Sequence, residues 1–119
     1  MTYIDGYVIP VRTDKREEYK KMEEFSSPIF IEHGALRVVE YWSDDVPHGK
    51  QTDFYRAVDA KDGESIVFGW MEWPSKEVRD AGNAAAMADA RFKDFDFGDI
   101  LDGKRMIFGG FTPILDMKG

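Results

Sequence analysis

The chain has 119 residues, the length of one domain, and its 43% hydrophobic and 14% aromatic content supplies the core that a disordered chain lacks. Sixteen Lys and Arg against 23 Asp and Glu leave a formal charge of −7, which disfavours nucleic acid and anionic membrane surfaces as partners. There is no Cys, which excludes disulfides, thiolate metal sites and a Cys nucleophile, and no run reaches the roughly 18 apolar residues of a membrane span, so a cytoplasmic protein with one domain over residues 1–119 is expected.

Tyr3 to Val11 is rich in Tyr, Ile and Val and reads as a strand. Asp14 with Glu17 fits a capping box, with Thr13 as the alternative cap, and opens a helix. Tyr19, Met22, Phe25, Ile29 and Phe30 form its apolar stripe, leaving Lys15, Glu18, Lys21 and Glu24 to water. Pro28 predicts a kink or a fresh short helix, and Gly34 ends the element. Leu36 to Trp42 is a second strand, followed by a surface loop from Ser43 to Gln51. Residues 53–60 read either as a separate strand or as an arm of the second one. Lys61-Asp62-Gly63-Glu64 carries a tight-hairpin signature, and Ser65 to Trp73 is the strongest strand. Ser75 caps a second helix whose narrow apolar face is Val78, Ala81, Ala85 and Ala88. Arg91 to Asp102 reads as a loop with Phe92, Phe95 and Phe97 tucked beneath it. Lys104 to Leu115 is the last strand, with Gly109-Gly110 suggesting a bulge or a close backbone approach.

This order is the βαββαβ plan of an α+β, ferredoxin-like domain, an antiparallel sheet with two helices on one face. Ser65 to Trp73 is apolar on both faces: Ile66, Phe68 and Trp70 on one, Val67, Met71 and Trp73 on the other. Two helices cover one face, so a second copy is the simplest cover for the other, and a homodimer is expected.

Several segments carry a family resemblance: Tyr3-Ile4-Asp5-Gly6-Tyr7-Val8, the stretch from His33 to Glu40, Glu72-Trp73-Pro74-Ser75-Lys76, Arg79-Asp80-Ala81-Gly82-Asn83 and Asp102 to Ile107. They resemble a bacterial domain-of-unknown-function family of about this length, within the dimeric α/β-barrel superfamily of antibiotic-biosynthesis-type monooxygenases. The resemblance runs end to end and implies the fold and the dimer. Gly82 stands where monooxygenases of the wider superfamily often place a His, which does not favour oxygenase chemistry.

On three strands an acid shares a face with aromatics: Asp5 with Tyr3 and Tyr7, Glu40 with Trp42, and Glu72 with Trp70 and Phe68. Carboxyls in such surroundings have raised pKa values and can act as general acids or bases. Glu40, Glu72 and Asp5 are therefore the candidate catalytic residues, with Tyr7, Trp42, Phe68 and Trp70 lining a small organic ligand. Their competing reading is pairing with Arg37, Arg56 or Arg105, or exposure at strand ends. His33 and His48 lack metal-ligand spacing, and Asp44-Asp45 and Asp94, Asp96 and Asp99 lack the calcium-loop pattern, so no metal is expected. Phosphate-binding and nucleophile-elbow motifs are missing as well, and the expected chemistry is cofactor-independent. The alternative is a non-catalytic dimeric module that binds a metabolite or protein through Ser43 to Gln51.

Overall fold

The computed structural model describes residues 2–95, 97–98 and 100–119. Its central strands are β1 (Tyr3–Arg12) and β3 (Glu64–Trp73), paired antiparallel from Tyr3 opposite Trp73 to Arg12 opposite Glu64. β2 (Arg37–Trp42) adds to the free edge of β3, and β4 (Ile107–Phe111) to that of β1, giving the antiparallel order β2-β3-β1-β4. The described residues also form α1 (Arg16–Glu32), α2 (Phe54–Ala57) and α3 (Lys76–Met87). Chain order, strand order and two long helices make this an α+β, ferredoxin-like fold.

Side chains alternate across the sheet, so its two faces differ in content. On the helix face Ile9, Val11 and Val67 are buried against Tyr19 and Met22 of α1. Trp73 is fully buried there with Tyr3 and Ala35, under α3. The aromatics of the stretch after α3 are tucked beneath it as expected, with Phe95 stacked on Phe25 at 4.9 Å and meeting Phe97 at 4.7 Å, although Ala90–Asp94 forms a 3-10 turn rather than a loop. Asp96 and Asp99 of the acidic stretch lie outside the described residues.

On the opposite face lies a cover that the sequence does not announce. Residues 53–60 form no strand: Asp53 caps α2 by accepting from the Arg56 N–H at 2.8 Å, and Val58 is buried against Val8 and Ile66. The Lys61 to Glu64 turn, with Gly63 at φ +81°, therefore leads from α2 into β3 rather than joining two strands.

Other local expectations are corrected too. No capping box forms at Asp14, because Thr13–Lys15 makes a 3-10 turn first. Thr13 is held by its N–H on the Gly63 carbonyl at 2.9 Å and its hydroxyl on Ser65 at 2.7 Å, while Asp14 pairs with Arg12. α1 continues unbroken past Pro28. α3 is turned from its expected face: Val78, Ala81, Ala85 and Ala88 are exposed, and Gly82 and Ala86 are buried. A β-carbon at Gly82 would meet the Trp73 ring and, at 2.6 Å, the His33 carbonyl, so Trp73 supplies the bulk where α3 supplies none. The last strand is only Ile107–Phe111, since Arg105 is engaged in the preceding turn. Gly109 and Gly110 pair regularly with Gly6 and Asp5, so neither forms a bulge.

Candidate functional site

The odd-numbered residues of β1 and even-numbered residues of β2 face the helices, and there the structure brings Tyr7 and Glu40 together. The Tyr7 hydroxyl donates to Glu40 Oε2 at 2.7 Å, and the Tyr19 hydroxyl, from the buried stripe of α1, donates to Oε1 at 2.5 Å. The partner that the sequence reading missed is Glu23. Its carboxyl faces Glu40, with Ser27 and Tyr19 beside it. Glu23 lies four residues after Tyr19 and three before Ser26, a spacing that places it on the buried stripe.

Two carboxyls in contact cannot both ionise without strong repulsion. Burial, the hydrogen bond to Glu40 and its charge push Glu23 up to about 9, so at neutral pH it carries the proton and donates it to Glu40. Burial first, then the neighbouring acids, likewise raise the Tyr7 and Tyr19 hydroxyls, which stay protonated donors. Tyr7 and Tyr19 fill one acceptor position on each oxygen of Glu40, and the protonated Glu23 carboxyl faces it with a proton to give.

Asp5 lies one same-face step from Tyr7 and is bound differently. Its carboxylate accepts from Trp73 Nε1 at 3.0 Å, from Arg79 Nε at 3.0 and 3.2 Å and from Asn83 Nδ2 at 3.3 Å. With every contact a donor, Asp5 anchors α3 to the sheet and orients Arg79. Trp42 also faces the helices, 6.4 Å from the Tyr19 ring, with the Arg16 guanidinium 5.7 Å from its ring centroid.

Glu72, Trp70 and Phe68 point to the other side of the sheet, so the sequence-derived set is divided by the sheet itself. Glu72 accepts from Trp70 Nε1 at 2.9 Å and lies 3.5 Å from Arg37. Around it Tyr41 and Phe68 are half exposed, next to a depression of about 270 Å³ whose lining includes Phe54 and the acidic Asp44 and Asp45. His33 pairs with Asp89 at 3.1 Å, and His48 stacks on Tyr55 at 4.5 Å. Among the described residues no three His, Asp or Glu side chains are grouped to hold a metal ion, and no helix is long and apolar enough to cross a membrane.

Comparison with known proteins agrees with this architecture. A family profile described as "Protein of unknown function (DUF1428)" matches residues 2–103. The uncharacterised protein YbaA of Escherichia coli strain K12 is 53% identical over 116 residues, 98% of this chain and 99% of that one. A dimeric ferredoxin-like protein from an uncultured marine organism superposes with a TM-score of 0.57 at 13% identity, covering 100% of both chains. A proposed antibiotic biosynthesis monooxygenase from Nitrosomonas europaea gives 0.55 at 13% identity, covering 95% of this chain and 90% of that one. At such identities the structural likeness establishes the fold, with the neighbours in the ferredoxin-like, monooxygenase-type group.

Proposed function

The chain belongs to the DUF1428 family, whose function is unknown, and from that premise we propose that it is a homodimer binding a small organic molecule on its helix face, where it catalyses a cofactor-independent proton transfer. The observation that carries this reading is the protonated Glu23 held against Glu40 between two tyrosine hydroxyls. Perturbed carboxyl pairs are characteristic of acid–base sites. Glu40 is the proton acceptor and Glu23 the donor. Tyr7 and Tyr19 hold Glu40 in place, Asp5 orients Arg79, and Trp42 flanks the pair.

The dimer would close over the opposite face, which takes in Phe68, Trp70 and Glu72. Phe68 is 46% exposed, Tyr41 58% and Phe111 57%, more apolar area than a solvated sheet face carries.

A thermal-shift panel of small organic molecules on the parent, Glu40→Gln and Glu23→Gln tests the reading. Ligands that raise the parent's Tm should fail to raise that of Glu40→Gln, although the variant remains folded and dimeric. Equal shifts in all three proteins would leave the pair a structural feature. They would favour the second reading, a binding module using the depression beside Asp44 and Asp45.

A further inference from the structure

We infer that the Tyr3 hydroxyl and Nη2 of Arg79 form, beside Gly110, a subsite for the oxygen of a neutral carbonyl compound. The inference rests on the reading of the helix face as the ligand face, and it names the class of molecule bound there.

Gly110 lies on β4 opposite Asp5 and is exposed. A β-carbon at this position would overlap the Tyr3 hydroxyl oxygen and fall 2.5 Å from Arg79 Nη2, so the lack of a side chain lets the two groups lie together over the Gly110 backbone. The rest of the guanidinium is committed, with Nε on Asp5 at 3.0 Å and Nη1 on Asp80 at 2.7 Å. It also lies 5.0 Å from the centroid of the Tyr3 ring, which fixes the two side chains relative to each other. Among the described residues neither the Tyr3 hydroxyl nor Nη2 has a hydrogen-bond partner.

Both groups can donate, so the ligand atom that satisfies them is an acceptor. Charge selects the kind. Arg79 already faces two carboxylates, Asp5 and Asp80, and a third would meet like charge, whereas a ketone or aldehyde oxygen accepts without adding any. Phe108, two residues back along β4 on the same face, is 73% exposed and stands opposite Tyr7. It offers an apolar platform for the body of the molecule, one same-face step of about 7 Å towards the Tyr7 row. Glu40 stands three strand spacings away, about 14 Å, on β2, so the subsite anchors one end of the molecule and takes no part itself in the proton transfer.

The test titrates the ¹⁵N-labelled full chain with acetophenone and with benzoate, which match in shape and differ in charge. Acetophenone should shift the amide signals of Gly109 and Gly110 and bind more tightly than benzoate. Tyr3→Phe, which removes one donor and no packing, should weaken acetophenone about threefold to tenfold, and Gly110→Ala should abolish the shifts at Gly109 and at position 110. Benzoate binding as tightly as acetophenone, an unchanged affinity in Tyr3→Phe, or no response at Gly109 and Gly110 would each overturn the subsite. Acetophenone should bind Glu40→Gln more weakly than the parent and still shift Gly109 and Gly110 at saturating concentration. The subsite therefore stands or falls separately from the Glu23–Glu40 reading, which the thermal-shift panel decides.

Discussion

Tyr7 and Glu40 sit on strands that do not touch, and the Tyr7 hydroxyl reaches across the intervening β3 to donate a 2.7 Å hydrogen bond to the Glu40 carboxylate. What lets it pass is Gly69, paired with Tyr7 on one side and with Glu40 on the other. A β-carbon at Gly69 would lie 2.9 Å from Tyr7 Cε2, 2.9 Å from Glu40 Cγ and 2.7 Å from the Val39 carbonyl oxygen.

Gly69→Ala is therefore expected to part the pair. Its neighbours there include backbone, which cannot give way cheaply, and overpacking of this kind destabilises by about 1–3 kcal/mol. Urea denaturation should show that loss, and Tyr7→Phe, which removes only the hydroxyl, should show about 1 kcal/mol.

Glu23 sets a pH dependence with a definite sign. Its carboxyl titrates near 9 when folded against an ordinary 4.5, so below 4.5 both states hold the proton. Between those values the unfolded chain releases a proton that the folded chain keeps, and stability falls as pH rises. Glu23→Gln retains a donor towards Glu40 without that proton. Its stability relative to the parent should improve steadily from about pH 5 to pH 9 in chemical denaturation.

Much of this arrangement is legible in the sequence, and the reason is periodicity. The alternation from Ser65 to Trp73 fixes both faces of β3, and Tyr19, Met22 and Ile29 mark the buried side of α1. Asp5, Glu40 and Tyr7 can be picked out because an acid beside aromatics on a strand is conspicuous. Glu23 is not, because on a helix an acid reads as a solvated residue unless its i+4 relation to Tyr19 is weighed. α2 is a single turn, too short for any period, and its one signal is the capping Asp53. α3 misleads because alanines sit around much of the helix, and which side is buried depends on where the Trp73 ring lies.

Arg105 closes the other end of the sheet. It grips Glu64 through two bonds of 2.6 and 2.7 Å and Asp102 at 2.9 Å, and the guanidinium beside Glu64 holds that carboxyl below its usual range. The Glu64 side chain is only 8% exposed, so Arg105→Met strands a nearly buried charge and should destabilise by about 3 kcal/mol. Adding Glu64→Gln should recover part of the loss in the same urea titration.

Phe68→Glu places a charge beside α2 on the half-exposed part of the opposite face, where a partner copy would have to bury it. Light scattering on a column eluate should give twice 13.7 kDa for the parent and the single-chain mass for the variant. A parent that elutes as a monomer at micromolar concentration would remove the dimer from the account.

The central claim is that Glu23 carries a proton at neutral pH and shares it with Glu40. Carbon-13 NMR of the glutamate side-chain carboxyls across a pH titration reads this directly. The Glu23 signal should stay at its protonated position through pH 7 and move only near 9, and Glu40→Gln should bring that midpoint down, since it removes the neighbouring charge. A Glu23 signal that titrates between pH 4 and 5 in the parent, like an ordinary exposed glutamate, would contradict the account.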